Sequence, residues 1–269
     1  MLYWEYRNHR VSIFPTEWIT FIINNLLEVV MYYLNCMRTV TVLLLGFIIF
    51  SAQAGVVINT TRVIYNEGKR ETSVRLTNTD EKPFLVQSWI DTGDDNETPS
   101  SIQVPFVITP PINRINAGKG QSVRIFYTEG ELSKDEESVF WLNVLAVPSK
   151  SKKASQENHL QMAFRTRIKL FYRPSVLKGS SSDAVNQLIF NPVASGLKID
   201  NPTGYHISIT NVSVNVDGVK YSTEGTMISP KSTKGFYFDN LKNIPKGSEI
   251  TISYIDDYGA LNVYKSKPK

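Results

Sequence analysis

From residue 55 to the C-terminus, apolar residues recur at every second position in short runs, and turn-forming residues separate the runs. Thr72, Val74 and Leu76 alternate with polar or charged neighbours. Asp80, Glu81, Lys82 and Pro83 then turn the chain into residues 84–90. A loop over 91–101 precedes a strand ending at Thr109, Pro110 and Pro111. The turn at 117–120 leads into 121–127, where Val123, Ile125 and Tyr127 share one face. Residues 138–147 are almost continuously apolar, as in a central strand. A polar, basic loop follows at 149–158, and 159–172 forms the last strand before Pro174. Past a Gly/Ser-rich stretch at 179–182 the same pattern resumes over 196–201, 207–216, 219–221, 234–238, 249–256 and 260–264, with Asp217-Gly218 as a hairpin signal. Helical periodicity is not visible here. The expectation is all-β, with two antiparallel β-sandwich domains over 55–178 and 179–269.

Residues 1–54 have a different character. An apolar block at 18–34 is interrupted by Asn24, Asn25 and Glu28, which makes it a poor membrane span. A second block at 40–50 follows Met37-Arg38-Thr39 and ends at Ser51-Ala52-Gln53-Ala54. A short basic start, a brief apolar middle and an Ala-x-Ala site predict a signal peptide over 37–54, cleaved after Ala54. Residues 1–36 are then a mis-annotated upstream extension before a true start at Met37, a reading favoured by the position of Arg38. The alternative is an uncleaved inner-membrane anchor built from both blocks.

On the first reading 215 of the 269 residues remain, and the only cysteine, Cys36, is not among them. That excludes a disulfide scaffold and a cysteine-based metal site. The net charge of +4 lies wholly in the mature part, because Arg7, Arg10 and Arg38 balance Glu5, Glu17 and Glu28. Such an excess falls short of a nucleic-acid footprint, so no nucleic-acid partner is expected. His159 and His206 have no second ligand at metal spacing, and no nucleophile elbow, zinc-protease motif or phosphate loop is present. Asp256 and Asp257, adjacent in a strand, would point to opposite faces. No catalytic residue, metal or cofactor is expected, and the chain does not read as an enzyme.

The strand at 159–172 is chemically odd, because Leu160, Met162 and Phe164 make an apolar face alternating with His159, Gln161, Ala163 and Arg165. Either that face packs into its own core, or it is an exposed edge that donates a strand to a partner whose pockets take alternate side chains.

Several motifs together resemble the periplasmic pilus (fimbrial) chaperones of the PapD type. They are 167–174 (Arg-Ile-Lys-Leu-Phe-Tyr-Arg-Pro), 132–148 with a departure at Ser133, Thr61-Arg62, 106–111 with Arg114, Ile199-Asp200-Asn201-Pro202-Thr203, and 254–259. The resemblance spans essentially all of 55–260. It implies a boomerang of two immunoglobulin-like domains in the periplasm, whose client is a pilin subunit lacking its last strand. Leu160, Met162 and Phe164 would fill the client's groove. Arg62 and Lys169 match the family's cleft cations, which anchor the client's C-terminal carboxylate, and Glu137, Arg173 and Asp257 match an ion network between the domains. The partners implied are pilin subunits and an outer-membrane usher, and the client-free chaperone has the further option of self-association. The short 149–158 loop and the absence of a cysteine pair in the second domain point to the short-loop subfamily. A structural or adhesive fibre subunit is the alternative, but residues 55–58 are too short a donor extension before Arg62.

Overall fold

The computed structural model describes residues 16–46, 55–94, 99–149 and 160–267. The chain divides into two units, Met1–Ala52 and Gln53–Lys269. In the first, the helix α1 (Thr16–Gly46) runs through the first apolar block and into the second. No proline or glycine interrupts it before Gly46. Among the described residues no helix is long and apolar enough to cross a membrane. The expected cleavage site at Ala54 lies outside the described residues.

The second unit is built almost entirely of strands. Its first part contains β1 (Val56–Ile58), β2 (Arg62–Asn66), β3 (Thr72–Asn78), β4 (Phe84–Asp91), β5 (Phe106–Thr109), β6 (Ile112–Ile115), β7 (Gly120–Tyr127), β8 (Ser138–Pro148) and β9 (Phe164–Arg173). They form two sheets, in the orders β1-β3-β7-β5 and β2-β9-β8-β4-β6. Inward-facing alternate residues, among them Leu76, Val123, Ile125, Leu142 and Leu170, make the core between them.

After the short helix α2 (Ser181–Ala184), capped by the Ser180 side chain, a second set of strands encloses a separate core around Leu197, Ile199, Val212 and Ile252. These are β10 (Ile189–Val193), β11 (Gly196–Asn201), β12 (Ile207–Val216), β13 (Val219–Glu224), β14 (Met227–Ile228), β15 (Ser232–Tyr237), β16 (Glu249–Ile255) and β17 (Leu261–Ser266). Their sheets run β10-β11-β15 and β13-β12-β16-β17, with β14 also paired to β12. Asp217 and Gly218 both have positive φ, 52° and 83°, which turns β12 directly into β13 as the sequence pattern predicts. The sequence pattern misses β1, β2, β6, β10 and β14, which are two to five residues long, too short to establish a period.

One strand differs from expectation in a way that matters for the site. β9 begins at Phe164, whereas the pattern predicts a start at 159. Its ladder with β8 ends at the pair Phe164↔Ala146. Two residues further on, the opposing position is Pro148, which has no amide hydrogen to offer. β9 is also flanked unequally. Among the described residues, 169–172 lie between β8 and the parallel strand β2, whereas 164–168 pair with β8 alone.

Candidate functional site

Pleating places Phe164, Ile168, Leu170 and Tyr172 on the same side of β9. Ile168, Leu170 and Tyr172 are buried in the sandwich, but Phe164 is 60 % exposed, and the stripe continues past the end of the strand through Met162 and Leu160, 56 % and 89 % exposed. The two readings left open by the sequence therefore divide along one segment. Its C-terminal half fills its own core, and its N-terminal half presents exposed apolar side chains beside a backbone edge that no strand among the described residues pairs with.

That edge leads to Arg62 and Lys169. They are register partners across the parallel β2–β9 ladder, so their side chains leave the sheet at one level. Arg62 is buried and donates from a terminal guanidinium nitrogen to the Ile255 carbonyl at 2.9 Å, while its Nε has no hydrogen-bond partner among the described residues. Lys169 Nζ lies 5.5 Å from the centre of the Trp141 ring. Burial lowers the pKa of both groups. Asp257 and Asp256 partly offset the effect at Arg62, and the Arg62 charge deepens it at Lys169. Neither cation has an ion-pair partner among the described residues. A buried arginine and a half-buried lysine side by side, neither in an ion pair, have the chemistry to accept a carboxylate.

The second cluster joins the two sandwiches. Arg173 donates through Nε to Glu137 Oε1 at 2.6 Å and pairs bidentately with Asp257 at 2.7 and 2.9 Å. Glu137 Oε2 accepts the backbone N–H of His206 at 2.7 Å, and the Glu137 N–H donates to the Gly204 carbonyl at 2.8 Å. Burial acts to raise the Asp257 carboxyl, but the Arg173 hydrogen bonds and charge outweigh it and hold the group below the usual range. A side chain at Gly204 would meet the Asp135 carbonyl at 2.7 Å and Leu177 at 2.5 Å, so the contact between the halves requires glycine there.

Asp256 and Asp257 do diverge, but they do so beyond the end of β16, in a turn. Asp256 accepts from the Tyr258 and Ala260 amides while Asp257 turns to Arg173. His206 is buried against Phe171, with Nδ1 3.6 Å from Glu137, and His159 lies outside the described residues. No group of three or more metal-ligating side chains occurs among the described residues.

Sequence reasoning misses a third cluster, on the outer face of β4, β8 and β9. The fully buried Asp91 carboxylate accepts from Asn143 at 2.7 Å, Arg165 at 3.2 Å, Arg167 at 2.7 Å and the Gly93 amide at 3.0 Å. Arg165 stacks over Trp89 and Arg167 over Trp141. The available signal was a pair of arginines two apart on a strand, which reads as a solvated face until the opposing residues are known.

Comparison with known proteins agrees with this architecture. The model for the pili and flagellar-assembly chaperone PapD N-terminal domain matches residues 55–178, and that for the pili assembly chaperone PapD C-terminal domain matches 183–266. The chain belongs to this family. The probable fimbrial chaperone YadV of Escherichia coli K12 is 43% identical over 216 residues, covering 78% of this chain and 88% of that protein. The chaperone protein FimB/FhaD of Bordetella pertussis is 40% identical over 223 residues, covering 80% and 89%. The crystal structure of YadV superposes with a TM-score of 0.69 at 39% identity, covering 80% of this chain and all of that one. The SafB chaperone of Salmonella enterica, solved in complex with the SafA pilin, gives a TM-score of 0.67 at 26% identity, covering 81% and 98%. The fold is that of two immunoglobulin-like sandwiches, and the chain is a fimbrial chaperone.

Proposed function

We propose that the mature chaperone, exported to the periplasm and cleaved after Ala54, captures pilin subunits by lending them a strand, caps their assembly surface and delivers them to an outer-membrane usher. The single observation that carries this reading is the unequal flanking of β9, whose open half ends in Phe164, Met162 and Leu160, exposed and in line with the strand's own core face. At about 25 cal/mol per Å² of apolar area, covering three such side chains contributes on the order of 5 kcal/mol. Main-chain pairing along the edge adds to it. Arg62 and Lys169 anchor the client's C-terminal carboxylate and so fix the register of the donated strand. Glu137, Arg173 and Asp257 set the orientation of one domain, 55–178, against the other, 179–269. The chain works as a binder and not as an enzyme, and its short 149–158 loop suits a rod-type client.

The test is co-expression with the fimbrial subunits encoded beside the gene, followed by identification of what co-purifies from the periplasm. A one-to-one complex that protects the subunit from proteolysis is expected. Subunits equally abundant and protease-resistant without the chaperone would overturn the reading.

A further inference from the structure

The open half of β9 poses a physical problem that the flanked half does not. Residues 164–168 are held by one neighbouring strand, next to the end of a ladder, which is where strands fray. A strand lent to a partner must nevertheless be extended and correctly rotated before the partner arrives, because ordering it on contact subtracts from affinity and slows association.

The outer face of this half-strand is held by Asp91. Both carboxylate oxygens of this fully buried residue on β4 are saturated by four donors, and two of those donors are Arg165 and Arg167 of the open half. Asn143 on β8, between them, donates to Asp91 and accepts from Arg165 Nε at 2.8 Å. The cluster thus ties three adjacent strands together across the sheet, and on β9 it touches the open half. Stacking of the two guanidinium groups on Trp89 and Trp141 fixes their planes. Because successive side chains on a strand leave opposite faces, fixing Arg165 and Arg167 fixes the rotation of Phe164, Thr166 and Ile168 on the other face.

We propose that Asp91 is a positioning residue for strand donation: it holds residues 164–168 extended and in register, so that the apolar side chains of the open edge are presented before a client binds. The inference rests on the donor-strand reading given above.

Hydrogen–deuterium exchange on the purified exported chain tests it, with Asp91→Asn and Arg165→Gln as variants. The second leaves Arg167 against Asp91 and guards against a misfolded first variant. Amides of 164–168 should exchange about tenfold faster while those of 169–173 keep their wild-type protection. The association rate with the co-purified subunit should fall by a similar factor, with dissociation changing less. Wild-type exchange at 164–168 in both variants would overturn the proposal. So would equal loosening of 169–173, or an unchanged association rate despite loosening. Met162→Glu run in parallel separates the two readings. Wild-type capture by that variant overturns strand donation itself, whereas loss of capture there beside normal exchange and capture in Asp91→Asn overturns the role of Asp91 alone.

Discussion

Arg62 and Lys169 sit directly opposite one another on parallel strands, two cations at one level of a sheet with no carboxylate paired to either among the described residues. Neighbouring Arg173 meets two acids, Glu137 and Asp257, so the region is not short of carboxylates. One cation pair is thus left without a paired carboxylate while the next cation is matched twice, a contrast that the proposed capture of a client carboxylate would explain.

Replacing Arg62 or Lys169 with Ala should abolish co-purification of subunits and leave the fold intact. Arg62 is buried and only partly offset by Asp257 and Asp256, and Lys169 is half-buried beside the Arg62 charge, so the melting temperature should stay within a few degrees of wild type for Arg62→Ala and hold or rise for Lys169→Ala. Pull-down yield together with circular-dichroism melting checks both halves. Two variants that still carry subunits at wild-type levels would remove the cleft from the capture mechanism.

Lys169 also has a pH signature. Its folded pKa lies below the ordinary 10.5 because of burial and then the Arg62 charge, so near that pKa the unfolded chain binds more protons than the folded one. The free chaperone should therefore gain stability as pH rises through the lowered pKa. Client affinity should move the other way, because a carboxylate needs the protonated amine. Lys169→Arg should flatten both trends, as read by denaturant titrations and binding across alkaline pH.

Met162→Glu should weaken the client complex by at least about tenfold, because a carboxylate would enter an apolar groove without a partner. Met162 is exposed and lies outside the strand, so the free protein should melt as wild type does. Dissociation kinetics of the purified complex give the answer, and unchanged rates would contradict the groove assignment.

Asp257→Asn should loosen the domains against one another without unfolding either. The Asp257 carboxyl is held below its ordinary 3.8, so its contribution is full above that value and is lost as pH falls through the folded pKa. Small-angle scattering should detect a wider spread of interdomain orientations in the variant at neutral pH, and in the wild type only in strong acid. Identical profiles at neutral pH would mean that the backbone contacts of Glu137 suffice.

The longer strands and the apolar stripe at 160, 162 and 164 were readable from alternation, because period-two patterning reports which residues share a face, but not whether that stripe is covered. Residues 138–147 read as central and are flanked on both sides, by β4 and β9. The place where β9 stops was not readable, since it depends on Pro148 lying opposite in a ladder whose register no local pattern encodes. Asp91 escaped notice for the same reason. Its side-chain partners are 52 or more residues away, and a lone aspartate at the end of a strand looks like the start of a turn. His206 matters to the joint through its backbone N–H, which no side-chain motif can announce.

Arg62 stands near the beginning of the first sandwich and Lys169 near its end, and the parallel pairing of β2 with β9 cannot be made by a local hairpin. The two cations therefore meet only once segments from the two ends of the first sandwich have been brought together. If the pair anchors a carboxylate as proposed, an unfinished chain carries both charges but no receptor, and carboxylate binding reports that β2 and β9 have paired.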